Sequence, residues 1–290
     1  MIRLVLIITG IFIYSSGLIA HEEPSKTIRE KDKKERDRKD IRDNKIISYT
    51  VWKHKVKDKT PDLNDKEMFL KVVYDTEGNM AEMNVYKKND SLDYKIVFGY
   101  DGNNNMISDT DYNPDGTIAE KIEYKYDAYG RVVEQYNYEG NNKFDSKFTY
   151  ETSSNSNSLV LNKFKPIDSI EYQIVYRYDN SIDKGNNVEI VKQKKNGILI
   201  MRVENEFDVN DLRLKKKIFD ENNKLMFYFG YTYFGDTEKF SEITKYSPEG
   251  QIISKTIYEL NKAGFTSSVK TIDVSGNLIS FSSYDYETGK

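Results

Sequence analysis

From about Ile46 onward the chain alternates apolar and polar residues with a period of two. Ile122, Tyr124 and Tyr126 fall on one side of a segment, and Lys121, Glu123 and Lys125 on the other. Leu92, Tyr94, Ile96, Phe98 and Tyr100 repeat the pattern, as do Leu225, Phe227, Phe229, Tyr231 and Tyr233. Such alternation predicts strands with one apolar face. No sustained 3.6-residue period follows residue 46, so no substantial helix is predicted there.

The strands are spaced by a ladder of aromatic residues. Tyr74, Tyr86, Tyr100, Tyr112, Tyr126, Tyr138 and Tyr150 are separated by 12, 14, 12, 14, 12 and 12 residues, and Phe164 and Tyr176 follow after 14 and 12. From Phe207 through Phe219, Tyr233, Tyr246, Tyr258 and Ile272 to Tyr284 the steps are 12, 14, 13, 12, 14 and 12. The unit is therefore a pair of strands in about 26 residues, a length that signals repeat architecture. A short phrase follows many of the rungs: aromatic, Asp or Asn, two free positions, then Gly. Its fullest copy is Tyr126-Asp127-Ala128-Tyr129-Gly130-Arg131-Val132. The fifth position is Gly78, Gly116, Gly130, Gly250 and Gly276, with Asn104, Asp211 and Asn223 in weaker copies. These residue types tolerate positive φ, and an early Asp or Asn caps a turn through its side chain. Each phrase reads as strand end, tight turn, next strand start, which predicts up-and-down antiparallel pairing.

The fold class is all-β: a long antiparallel meander of about 17–18 strands from repeats of about 26 residues. A flat open sheet of that size is unfavourable, because sheets twist and rarely stay open beyond about ten strands. The sheet is expected to coil or wrap into a curved form, or into two packed layers, with the Tyr, Phe and Ile face inward. One continuous array is expected, because the ladder keeps count through Phe164 and Tyr176. An outer-membrane barrel is the rival architecture, but it needs a lipid-facing apolar band, and here charged residues occupy the outer positions.

The repeated phrase, fullest at Tyr126-Asp127-x-x-Gly130-Arg131-Val132, resembles the YD repeat of Rhs-type proteins, and the resemblance spans roughly residues 68–286 as a repeat pattern. It implies antiparallel hairpins curled into a shell-like sheet. It also implies an exported bacterial protein, of the small kind that carries degenerate repeats without toxin or protease segments.

Composition adds the address. Residues 1–20 read as a secretory signal peptide: Arg3 at the start, an apolar run from Leu4 to Tyr14, and small residues at Gly17 and Ala20 after either of which cleavage could fall. The run is short for a membrane span, which takes about 20 residues, so no transmembrane span is expected after signal removal. Residues 21–45 carry interleaved charges, with Ile28 and Ile41 the only large apolar side chains, and are expected to be a disordered or helical tether that buries no face. Residues 46–290 form the repeat domain. The chain has no cysteine, so no disulfide or thiolate site exists. A net charge of -3 implies no general attraction to nucleic acid.

The catalytic inventory is thin. The two histidines, His21 and His54, cannot build a metal cluster or a nucleophile relay. Asp75, Asp101 and Asp127 belong to turn phrases and have a structural duty there. Glu120, Glu123 and Glu134 are expected to point outward. Asp179, Ser181 and Asp183 place oxygen donors at alternate positions and form a weak calcium candidate; the glycine comes one residue late for an EF-hand, and Ile190 stands where its last acid would be. No phosphate-binding glycine loop is present, and no cofactor is expected. Trp52 is the single tryptophan, so a tryptophan-lined sugar platform is not available.

These features suggest an exported, non-enzymatic β-repeat protein, periplasmic, at the cell surface or extracellular. Repeat surfaces serve as binding scaffolds, here for a protein or glycan partner. Two other readings compete: a carbohydrate-active hydrolase using paired inward carboxylates, and an envelope lipid or lipoprotein carrier whose aromatic concave face is open to an acyl chain. Activity is expected where the repeats differ, around residues 151–158 and 179–187.

Overall fold

A computed structural model describes residues 28–152, 158–164, 170–179, 187–208, 210, 212–235 and 237–289. One helix, α1 (Ile28–Asp43), precedes eighteen strands. They are β1 (Ile46–Lys57), β2 (Thr60–Tyr74), β3 (Met80–Tyr86), β4 (Leu92–Tyr100), β5 (Met106–Tyr112), β6 (Ile118–Tyr126), β7 (Val132–Glu139), β8 (Lys143–Thr152) and β9 (Ser158–Phe164). There follow β10 (Ile170–Asp179), β11 (Asn187–Lys195), β12 (Ile198–Phe207), β13 (Arg213–Phe219), β14 (Leu225–Tyr233), β15 (Phe240–Tyr246), β16 (Ile252–Leu260), β17 (Thr266–Asp273) and β18 (Leu278–Thr288). The expected signal peptide at 1–20 lies outside the described residues, as do most of the segments 151–158 and 179–187.

Every strand pairs antiparallel with its neighbours in sequence, including β9 with β10 across the middle of the chain, so the array is one continuous meander. β1 pairs with β2 on one side and with β18 on the other, Val51 opposite both Leu70 and Tyr284. The curved sheet therefore wraps until its two ends meet, as a ring of hydrogen-bonded strands. This removes the two open edges that so long a meander would otherwise present to other chains.

The ring has a dry face and a charged face. The buried cluster of Val51, Leu70, Val72, Met83, Ile96, Phe98, Ile122, Tyr124, Phe148, Tyr150, Ile174, Val203 and Ile218 lies on one side of the sheet throughout. With no second sheet to cover it, that side is the inside of the ring. The 26-residue repeat is visible within it: Leu70, Ile96, Ile122, Phe148 and Ile174 are equivalent positions, all buried. Polar inner residues are hydrogen-bonded at equivalent places, Tyr124 Oη donating to Asp109 at 2.7 Å and Tyr150 Oη to Gln135 at 2.7 Å. The outer face carries cross-strand ion pairs: Lys95–Glu82, Lys217–Glu206, Lys255–Glu242, and Glu134 held between Lys147 and Lys125. A face studded with such pairs is built for water.

The turns follow the chemistry of the phrase. In the loop after β6, Asp127 N–H donates to Arg131 O (2.9 Å) and Gly130 N–H to Asp127 O (3.0 Å). Asp127 Oδ1 accepts the backbone N–H groups of Tyr129 and Arg131, and Oδ2 accepts from Arg131 Nε. The same pair of side-chain bonds recurs at Asp75, Asp101, Asp208, Asp220, Asn261 and Asp273. The fifth residue has positive φ at Gly78, Asn104, Gly116, Gly130, Asn223, Gly250 and Gly276. Gly264, after Asn261, is a further copy that lacks the leading aromatic. Asp211 lies outside the described residues.

Loops alternate between two ends of the ring. The loops after β2, β4, β6, β12, β14 and β16 share one end with the start of β1, and α1 sits there, so this is the helix end. The loops after β1, β3, β5, β13, β15 and β17 form the far end.

Glu134 is the strongest electrostatic feature of the outer face: hydrogen bonds from Lys147 and Tyr136 lower its carboxyl from 4.5 to about 2. A depressed folded value contributes stability above the unfolded value, and that stability is lost as pH falls through the folded one. Glu134→Gln is therefore expected to cost about 1 kcal/mol or less at pH 7, the usual scale for a partly exposed pair. Urea denaturation at a series of pH values should show the gap to the parent shrinking below about pH 5 and closing near pH 2.

Candidate functional site

The inner face is most elaborate at the helix end. Here the aromatic that leads each phrase is the last residue of its strand, and it points inward beside its neighbours. Tyr49 lies 6.2 Å from Tyr74 and 5.7 Å from Tyr286 between ring centroids, and Tyr286 lies 5.4 Å from Phe265. Tyr233, Phe240 and Tyr258 continue the arrangement, at 5.1 and 6.1 Å. Together they make an aromatic collar around the mouth.

The collar hydroxyls bind backbone. Tyr100 Oη donates to Met80 O (3.0 Å), Tyr233 Oη to Arg213 O (2.8 Å) and Tyr286 Oη to Thr266 O (3.0 Å); Tyr126 makes the equivalent bond to Met106 O. Each bond ties the end of one strand to the start of the preceding one, where no loop joins the two. Burial raises the Tyr233 hydroxyl to about 12 and also raises that of Tyr286. These tyrosines keep their protons at neutral pH and are stitches, not acid–base groups.

Helix α1 closes the mouth. Fourteen of its sixteen residues are charged, and pairs such as Lys33–Asp37 and Glu35–Arg38 support the helix along its own surface. Arg36 pairs with Glu238 (2.6 Å) and Asp40 with Lys239 (3.6 Å), both in the loop after β14. Arg42 Nη1 donates to Glu77 O (2.6 Å) in the loop after β2, and the Arg38 carbonyl presses on Gly78 in the same loop. Residues 36 and 40 share one side of a helix, and 38 and 42 lie nearly opposite. The helix is therefore wedged between two loops of the ring, with Ile41 buried against the mouth. The segment expected to be a disordered or helical tether is a helix, docked by one isoleucine and three polar contacts.

Under the helix is a cavity of about 270 Å³. Ile41, Tyr74, Met80, Tyr100 and Phe265 give it apolar walls, and Arg38, Asp40 and Lys239 edge it with charge. Asn79 also faces it, and this side chain is 3% exposed. Asn79 Nδ2 donates to Asp75 and to Asn104, both at 2.9 Å, whereas its Oδ1 is buried and accepts no hydrogen bond.

A second inner feature runs along β14. Phe227, Phe229, Tyr231 and Tyr233 alternate inward and touch in series, with Phe227–Phe229 at 5.5 Å and Tyr231–Phe240 at 5.5 Å. All remain only half-buried, in contrast to Ile96, Phe98, Ile122 and Tyr124 on β4 and β6. The reason lies along the wall. Register puts Thr256, Thr271 and Ser280 at successive inner positions on β16, β17 and β18, so side chains too small to cover the rings line the same face.

The residues singled out by sequence are scattered. His54 is on the outer face, its ring nitrogens 2.8 Å from Ser283 Oγ and 3.3 Å from Asp62 O. Trp52 donates to Asp285 beside it (2.8 Å). Glu123 and Glu134 point outward in ion pairs, as expected. Glu120 does not: it shares the side of Ile122 and stands in register with Asp111 on the inner face. Asp179 ends β10, while Ser181 and Asp183 lie outside the described residues. Among the described residues no group of three or more His, Cys, Asp or Glu is placed to hold a metal ion. Sequence reasoning missed the pairing of Ile41 with the collar and the role of Asn79. The isolated isoleucine in a charged helix was the available signal.

Fold and site together define an all-antiparallel β-repeat ring with an aromatic mouth and a helical stopper. No family model matches the chain, and no curated protein does. Among solved structures it is similar to a porin-like protein from Bacteroides uniformis ATCC 8492, over 84% of this chain and 97% of that one, at 8% identity and a TM-score of 0.43. A porin-like protein from Bacteroides vulgatus ATCC 8482 is similar over 82% and 97%, at 10% identity and a TM-score of 0.39. A LolA superfamily protein from Nitrosomonas europaea is similar over 89% and 93%, at 10% identity and a TM-score of 0.19. No helix among the described residues is long and apolar enough to cross a membrane.

Gly78 tests the docking of α1. Its φ is +78°, and a Cβ there would lie 2.6 Å from the Arg38 carbonyl oxygen. Gly116 has a similar φ of +83° and open space around it. Both alanine variants should lose about 1 kcal/mol from the turn itself. Only Gly78→Ala should also release the helix, seen as at least tenfold faster amide exchange over residues 36–43 with strand exchange unchanged.

Proposed function

We propose that this is an exported, non-enzymatic binding protein that carries an apolar ligand, an acyl chain or similar, against the inner wall of β14. The half-buried run of Phe227, Phe229, Tyr231 and Tyr233 carries this reading. Rings only partly covered inside a closed sheet, with Lys245 Nζ 4.3 Å over the ring of Phe227, still leave apolar surface that a ligand can bury at about 25 cal/mol per Å². The outer face supports the same reading from the other side. Its lysines and glutamates pair with one another across strands, which suits a soluble shell better than a sticky scaffold. The signal-like N-terminus and the YD-type phrase support export.

A hydrolase reading has one observation in its favour, the inward register of Asp111 with Glu120 on adjacent strands. Paired carboxyl groups are the chemistry that glycoside hydrolysis uses. Turnover of an envelope polysaccharide by the purified protein, lost in Glu120→Gln, would favour it over the carrier.

The carrier reading is tested with dodecanoate by titration calorimetry and native mass spectrometry. One equivalent is expected to bind, and Phe229→Ala is expected to weaken it tenfold or more, since about 1.4 kcal/mol is tenfold in affinity. Phe229→Leu, which keeps most of the volume, should fold normally and weaken binding less. Absence of saturable binding to the parent would overturn the reading.

A further inference from the structure

The strands on either side of β14 define the charge of the ligand that its rings would hold. We propose that this ligand is an anionic amphiphile, a single alkyl chain with an anionic oxygen head, the head lying on the Lys245 ammonium and the tail along Phe229, Tyr231 and Tyr233. The inference rests on the carrier reading above and adds to it the charge and the direction of the ligand.

The first observation is the row of inner residues. Lys216 on β13 and Lys245 on β15 both stand opposite Phe229, so an inward lysine lies on each side of that ring. Ser254 on β16 follows Lys245 in register. The inner positions of β13 to β16, read from these registers, contain no Asp or Glu. Asp273, opposite Ser254 on β17, is engaged by its own turn, where it accepts the backbone N–H groups of Ser275 and Asn277. This stretch of wall is cationic, whereas β5 and β6 turn Asp109, Asp111 and Glu120 inward.

The second observation is the setting of Lys245. Lysines on the outer face of the neighbouring strands have carboxylates: Lys217 has Glu206, Lys255 has Glu242 and Lys270 has Glu259. Lys245 has no ion pair among the described residues, and its Nζ lies 4.3 Å over the Phe227 ring. A ring covers one side of an ammonium, which has three hydrogens to donate. Lys216 is buried and Lys245 is partly exposed, so Lys245 is the one for an anion to reach. The bond it would form is charge-assisted, roughly twice as strong as a neutral one. Lys53, which also lies over a ring, 3.3 Å from Phe69, already has Glu67 in register opposite it.

The third observation is direction. β14 starts at the far end, so Phe227 lies toward that end and Tyr233 toward the mouth. Lys245 meets the run of rings on its far-end side. From Phe229 to Tyr233 the strand advances about 13 Å, over rings that all keep accessible surface. The Tyr233 hydroxyl is bonded to Arg213 O, so a tail meets its ring and not its hydroxyl. A chain held by its head at Lys245 therefore lies with its tail toward the collar.

Equilibrium dialysis of dodecanoate, dodecyl phosphate and 1-dodecanol against the full chain tests the proposal. Both anions are expected to bind the parent at least tenfold more tightly than the alcohol, a difference of about 1.4 kcal/mol. Lys245→Met keeps the stem and removes the charge; it should bring the anions down to the level of the alcohol and leave the alcohol within about threefold of its parent affinity. Lys245→Arg should keep the preference for anions. Phe229→Ala should weaken all three alike, because it touches only the tail. If none of the three binds the parent saturably, the carrier reading falls and this inference with it. If all three bind the parent equally, if Lys245→Met keeps the preference for anions, or if it weakens the alcohol as much as the anions, the assignment of the head group is overturned while the carrier reading stands.

Discussion

Everything in this molecule depends on the backbone ladder between β1 and β18. Eighteen antiparallel strands with one apolar face have no second layer to lie against, since the described helix is almost wholly charged and Ile41 is its one buried residue among those described. Only by returning to its own start can such a sheet both cover that face and satisfy the hydrogen bonds of its edge strands. Once β18 is laid beside β1, the inner face is defined, the charged face is turned to water, and the loops are sorted into two ends.

The two ends are unlike because of where the chain enters. The strands that finish at the helix end do so with the tyrosines of the phrase, whose hydroxyls reach back to neighbouring carbonyls, and their rings crowd the mouth. The segment before β1 arrives at the same end. A helix made almost wholly of charge would not stay on an apolar surface, but between two loops it finds oppositely charged and carbonyl partners on each side. Its attachment is thus electrostatic and local, whereas the ring beneath is held by burial and ladder bonds.

Inside the ring the two halves differ in how well they are filled. In the first half each repeat sends an aliphatic or aromatic side chain to equivalent positions, and they pack dry against one another. In the second half the aromatics gather on β14 while β16 to β18 contribute threonine and serine at the matching inner positions. The volume does not balance, so the rings stay only partly covered. The repeat supplies the architecture; the departure from its side-chain volumes distinguishes the second half of the wall from the first.

The phrase Tyr126-Asp127-x-x-Gly130 was enough to identify the hairpins that carry it, because an Asx turn closed by a positive-φ residue is a local structure set by five neighbouring residues. The strand count and the inward parity of Ile122 and Tyr124 were legible for the same reason. Glu120 was misplaced outward although it shares parity with Ile122, and Gly264 was passed over because Asn261 lacks its aromatic leader. The meeting of β1 with β18, the wedge of α1 between the loops at Gly78 and Lys239, and the buried acceptor at Asn79 could not be read along the chain. Each joins residues separated by roughly 40 to 240 positions, or depends on a partner such as Asn104 in another repeat. The sequence by itself determined the hairpin, its period and its two faces. The tertiary structure decided closure, the stopper and the half-filled interior, because those follow from how many twisted strands it takes to bring the first beside the last.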